Sequence, residues 1–157
     1  MRKSKSSSKH KSSRSEINNK LLLEAMNNLG VYTPTEVAKI WASGLKNRNA
    51  ALQYSVMNDE LKEKYKIDLE KNAPNWVTGF SSPWIDSYSI LSIKNPSLDV
   101  YIVEILFYFS TSVGHYGSSK AFLNISRNNS FFLINKISME DFLYPYTGFT
   151  LTKWYIA

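Results

Sequence analysis

The chain is 157 residues long, 43% hydrophobic, 14% aromatic and 20% charged, with a formal net charge of +6 and no cysteine. That length fits one domain of ordinary size with enough side chains to bury a core. The missing cysteines exclude a disulfide framework, a thiolate nucleophile and any cysteine-ligated metal centre. No apolar run approaches the roughly 18 residues of a membrane-spanning helix, so the sequence reads as a soluble domain.

The charge is gathered at one end. Residues 1 to 14 hold six of the nineteen Lys and Arg residues and no acid, which leaves thirteen cations against thirteen acids from Ser15 onward. The body, residues 15 to 157, is neutral and reads as a single α+β domain, and the excess charge belongs to the tail. Six serines and six cations with almost nothing apolar cannot offset the entropy of ordering, so residues 1 to 14 are expected to be disordered. They lack the apolar middle of a signal peptide. Three uses stay open: a linker left when an upstream export or anchor segment is trimmed, an arm for a membrane surface or nucleic acid, or a processing or phosphorylation segment.

Helical spacing begins after Ser15, with Ile17, Leu21, Leu22, Ala25, Met26 and Leu29 on one stripe and Gly30 as the stop. Thr33-Pro34-Thr35-Glu36 is a capping box with proline at the first helical position, and it opens an amphipathic helix through Val37, Ile40, Trp41, Gly44 and Leu45. Asn47-Arg48-Asn49 breaks that helix, and Asn49 caps a short one through Leu52 and Val56. Asn58-Asp59-Glu60 opens a charged helix with Leu61, Tyr65 and Leu69 on its buried side, an expected Glu60–Lys64 pair, and Pro74 as its end.

Periodicity fails over residues 75 to 85, NWVTGFSSPWI, an aromatic loop that must close over the core or a ligand. Strand patterns follow. Residues 86 to 94 alternate weakly, Asn95-Pro96-Ser97 is the expected turn, and residues 98 to 112 are apolar on both faces except at Glu104. That strand is expected to be central and covered on both sides. Gly114-His115-Tyr116-Gly117 should turn the chain into a strand over 118 to 127. Asn128-Asn129 signals a hairpin into 130 to 137, and residues 149 to 156 are expected to add a last strand. The sum is an α+β fold in which N-terminal helices pack on a curved antiparallel sheet.

This order of elements resembles the nuclear-transport-factor-2-like (cystatin-like) fold, a cone of helices packed into a bent sheet. Two stretches, Trp41 with GLKNRNAALQYSVMNDELK (residues 44 to 62) and NWVTGFSSPWI (residues 75 to 85), resemble small uncharacterised domains of Gram-positive cell-envelope proteins. The resemblance spans about residues 33 to 137. It implies an extracytoplasmic, non-catalytic accessory domain that binds a protein partner or small ligand, with pairing of two sheets as a further possibility.

The chemistry on offer is sparse. The two histidines, His10 and His115, have no carboxylate beside them at ligand spacing, and no cofactor motif is present, so neither a metal nor a cofactor is expected. The folded body shows no interleaving of aromatic and basic residues of the kind that binds single-stranded nucleic acid. Two candidate sites emerge. In the first, Trp41, Tyr54, Trp76 and Trp84 line a pocket mouth, with Thr78, Ser81 and Ser82 as hydrogen-bonding groups for a ligand; the competing reading makes the same rings core and plug. The second is a hydratase- or isomerase-like site suggested by the fold, in which Glu104 is the base and Asp86 and Tyr108 assist. Its competitor is that Glu104 lies near the sheet margin or pairs with a lysine.

Overall fold

A computed structural model describes residues 33–152. The expected tail over 1 to 14, the helix over 15 to 30 and the end of the last expected strand lie outside the described residues. Helix α1 (Pro34–Lys46) starts as the capping box requires, with Thr33 Oγ1 accepting from Glu36 N–H and the Glu36 carboxylate accepting from Thr33 N–H, both at 3.1 Å. Such a cap contributes about 1 kcal/mol. Val37, Ala38, Trp41, Ala42 and Leu45 form its buried stripe. Arg48 takes a positive φ of 57° at the break, and Asn49 caps α2 (Ala50–Ser55). Gly44 lets the two helices meet, because a Cβ there would lie 2.6 Å from Gln53 Cγ.

Helix α3 (Asp59–Asn72), capped by Asn58, ends one residue before Ala73-Pro74. The expected Glu60–Lys64 pair does not form. Lys64 instead meets Asp68 at 3.3 Å. Asp68 is the stronger attractor because it is almost fully buried and its carboxylate already accepts the Thr150 N–H at 3.1 Å.

Four strands then form one antiparallel sheet in the order β1 (Trp84–Ser97), β2 (Val100–Thr111), β3 (Gly114–Asn128) and β4 (Phe131–Met139). The hairpins are tighter than the sequence reading had them. Pro96 sits inside β1, which a proline tolerates at a sheet edge, and the chain turns at Leu98-Asp99, with Asp99 at a φ of 61°. Gly114 to Gly117 belong to β3, and the turn is made one step earlier at Ser112-Val113. The last hairpin turns at Asn129-Ser130, with Asn129 supplying the positive φ. Bulges interrupt every strand pair, a device that bends and twists strands.

Helix α1 packs against all four strands. Val103, Ile105, Phe107 and Phe109 of β2 and Ala121, Leu123 and Ile125 of β3 are buried on that face. The other face of β2 is only half-buried, which corrects the expectation of cover on both sides. No strand forms over 149 to 152 either. That segment is tied instead to α3, where Asn72 Nδ2 donates to Gly148 O and Thr150 Oγ1 at 2.9 Å each. A short turn (Asp141–Leu143) and the one-turn helix α4 (Tyr144–Thr147) lead into it. Gly148 makes the turn possible, with a φ of 90° and a would-be Cβ only 2.7 Å from Leu69 Cδ2. The described chain is thus an α+β arrangement of helices followed by a four-stranded antiparallel sheet.

Candidate functional site

The aromatic loop is a strap hydrogen-bonded across the α1–α2 break. Ala50 N–H donates to Trp76 O at 3.1 Å, Thr78 N–H donates to Arg48 O at 3.2 Å, and Arg48 Nε donates to Thr78 O at 2.9 Å. Behind it runs a buried polar chain. Gln53 Nε2 donates to Thr78 Oγ1 at 3.2 Å, while the Tyr65 hydroxyl lies 2.9 Å from Gln53 Oε1 and 2.6 Å from Thr147 O, one proton shared between two acceptors. Burial pushes the Tyr65 hydroxyl well above the usual phenol range. This chain joins α2, α3, the loop and the α4 turn, and every group in it has a partner, as a buried network requires. Neither Gln53 nor Tyr65 was singled out by the sequence as polar machinery. Their only signal was a glutamine and a tyrosine hydroxyl on otherwise apolar helix faces.

The loop-centred residues are dispersed. Trp41 is fully buried, with its ring edge-on to Phe107 at 6.0 Å, and its indole N–H has no hydrogen-bond partner among the described residues. Tyr54 and Trp76 do come together, their ring centroids 5.4 Å apart, with the Lys62 ammonium 5.0 Å from the Tyr54 centroid. Burial lowers the Lys62 pKa, partly offset by Asp59. Thr78 is buried in the polar chain; Ser81 and Ser82 are exposed. Trp84 opens β1 opposite Ser110 and is 36% exposed.

Glu104 faces away from α1, one residue out of step with buried Val103 and Ile105. Its carboxylate meets Lys120 Nζ at 3.1 Å and accepts from the Ser92 hydroxyl at 3.1 Å. The Lys120 ammonium holds the carboxyl below the usual range, partial desolvation opposes this, and Ser92 adds to the lowering. Asp86 is exposed and Tyr108 half-buried on the same strand pair. This is a lysine-paired carboxylate, the arrangement the competing reading anticipated.

A groove forms elsewhere. Leu61 and Lys64 of α3, Ile137 and Met139 of β4, and Tyr144 and Phe149 from the C-terminal turn enclose about 850 Å³. Phe149 packs on Tyr65 at 4.7 Å between centroids, and the Lys64 ammonium sits 5.3 Å from the Phe149 centroid. Most of its lining surface is apolar, and exposed Glu60, Lys64 and Lys136 add charge to it. None of the ten candidate-site residues singled out from sequence lines it. The groove brings together segments over seventy residues apart, so no local pattern announced it; the legible trace is Ile137 and Met139 alternating on the last strand.

The sheet edge beside the groove is open. Strand β4 is terminal in the sheet order. Among the described residues its outer edge is met only at Ile134, whose N–H donates to Val56 O and whose carbonyl accepts from Asn58 N–H, each at 2.8 Å. From Lys136 to Met139 that edge has no strand partner among the described residues. Nor do those residues contain a cluster of His, Asp and Glu able to hold a metal, or a helix long and apolar enough to cross a membrane. No protein-family model, curated protein or solved structure matches the chain.

Proposed function

We propose that this is a non-catalytic accessory domain of a bacterial cell-envelope or secreted protein, built as a nuclear-transport-factor-2-like cone, and that it binds an extended apolar segment of a protein partner along β4. The observation that carries the reading is the apolar groove lying beside an unpaired run of strand edge. Strand addition uses both features at once: main-chain hydrogen bonds supply affinity, and alternate side chains enter the groove. The extracytoplasmic setting rests on the family resemblance alone.

The hydratase- or isomerase-like alternative needs Glu104 as a base in an apolar cavity. The Lys120 and Ser92 contacts favour its charged, hydrogen-bonded form instead, which weakens it as a proton acceptor at neutral pH.

The test is a titration of the isotope-labelled full chain with extended peptides of alternating apolar residues, followed by amide shifts. The reading expects shifts confined to Leu61, Ile137, Met139 and Phe149. Turnover of an unsaturated carbonyl substrate that Glu104→Gln abolishes would replace it with the enzyme reading.

A further inference from the structure

Away from the β4 groove, α2, α3 and the aromatic loop meet in a corner that holds charge against rings. Tyr54 of α2 and Trp76 of the loop lie 5.4 Å apart between centroids at an angle of 59°, and the Lys62 ammonium of α3 stands 5.0 Å from the Tyr54 centroid. None of the three lines the groove, which takes Leu61 and Lys64 from the same helix. We infer that the Tyr54–Trp76 corner is a binding site for a trimethylammonium group, and that Lys62 is its internal stand-in, displaced when such a cation enters.

The corner is built in advance. Trp76 takes a positive φ of 64°, a conformation that a bulky residue keeps only where its surroundings enforce it and that gathers at ligand sites. Its N–H donates to Ala73 O at 2.8 Å and its carbonyl accepts from Ala50 N–H at 3.1 Å, so both backbone groups are tied. The ring held this way is not spent on the core. Trp76 and Tyr54 stay half-buried, and Asn75 and Val77 on either side of the tryptophan are exposed.

The behaviour of Lys62 points to the kind of ligand. Lys64, Lys66 and Lys120 each meet a carboxylate, whereas none lies within ion-pair distance of Lys62 among the described residues, and its ammonium rests on a ring instead. A primary ammonium is strongly hydrated and gives up water at a cost. Burial accordingly lowers the Lys62 pKa, even against the opposing field of Asp59. A trimethylammonium carries the same charge on a weakly hydrated, apolar surface, so a seat that penalises Lys62 suits it better. Asp59 offers its field to either cation. The flexible four-carbon stem of Lys62 lets its ammonium swing out to water at little cost.

The experiment is a titration of the isotope-labelled full chain with choline chloride, at an ionic strength held constant with sodium chloride, followed by the Trp76 indole and Tyr54 ring resonances. A matched titration uses dimethylbutanol, the uncharged carbon isostere of choline. The expected result is saturable shifts of both rings with choline and binding of the isostere about fivefold weaker or less. Lys62→Met, which keeps the packing of the stem and vacates the seat, should bind choline severalfold more tightly. Tyr54→Leu should abolish saturation while the amides of Val103 and Ile105 keep their positions, which shows that the sheet is intact. Three outcomes overturn the inference: shifts that never saturate, equal affinity for choline and its isostere, which would make the corner a plain apolar contact, or choline binding that Lys62→Met leaves unchanged or weakens. Because neither ring lines the groove, failure here leaves the peptide-binding reading of β4 standing, and failure of peptide binding leaves the cation site standing.

Discussion

On β2 the side chains of Val103, Ile105, Phe107 and Phe109 lie under the helical layer and are buried, whereas Ile102, Glu104, Leu106 and Tyr108 on the same strand stay half-exposed. The two sets are almost equally apolar in the sequence. What separates them is cover: α1 spans all four strands on one side, with Trp41 against Phe107. On the other side Phe122 is 40% exposed and the strand partners of β2 are polar, Ser89 opposite Leu106 and Asn124 opposite Ile102. Residue type on a strand therefore sets what a face can bury, and the packing of neighbouring elements sets what it does bury.

The sharpest way to break this comparison is to truncate neighbours across the two faces. Phe107→Ala should lower the unfolding free energy by about 3–5 kcal/mol, the usual cost of deleting a large buried side chain plus its cavity. Leu106→Ala, one residue away, should cost clearly less, about 1–2 kcal/mol, since that side chain is only partly buried. Urea unfolding midpoints at equal slope would show the difference. Comparable losses at the two positions would mean that the open face is covered by something beyond residues 33–152.

The same contrast explains how far the sequence could be read. Caps and breaks were legible because they are local: Thr33 with Glu36, Asn49 and Asn58 satisfy backbone donors within their own first turns, so short-range patterns specify them. The four strands and their antiparallel order were legible from alternation and turn residues. Turn positions slipped by one to three residues because Pro96 and the Gly114–Gly117 pair read as breakers, while the sheet edge and the bulge beside Tyr116 accommodate them. Of the loop-centred residues, Tyr54 and Trp76 do meet, but Trp41 and Trp84 part company because one lies on a helix face and the other on a strand margin. The groove depends on where Phe149 and β4 come together, a matter of tertiary register that no window of sequence contains.

A second, smaller test uses the hydroxyls buried on the covered side. Tyr146 packs between Phe80 and Phe109 and donates to Pro83 O, and burial raises its pKa to about 12, with a further push from Tyr116 and a partial offset from Arg48. Tyr65 is shifted in the same direction by burial. A tyrosine held neutral in the fold contributes stability that is complete below its ordinary pKa, about 10, and is lost as pH rises through the folded value. The protein should therefore lose stability from pH 10 upward, and ultraviolet titration should show a late phenolate step that Tyr146→Phe removes. A Tyr146 that titrates as an ordinary exposed phenol would place that ring outside the covered layer.

The smallest effect is expected on the open face, where the charge at Glu104 is held by Lys120 and Ser92. Its pKa is depressed, so the pair's contribution is present above the ordinary carboxylate value of 4.5 and is lost as pH falls through the lower folded value, the reverse of the tyrosine case. Glu104→Gln should leave stability unchanged at strongly acidic pH and reduce it slightly at neutral pH. That difference should shrink as salt is added, because the Lys120 side chain is 43% exposed and the pair is open to screening. A carboxylate buried for general-base work would behave otherwise. Its pKa would be raised, so replacing it with neutral Gln would stabilise the fold at neutral pH, and added salt would matter little. The sign of the Glu104→Gln change at neutral pH therefore separates a surface ion pair from a desolvated base, and with it the binding reading of this domain from the enzymatic one.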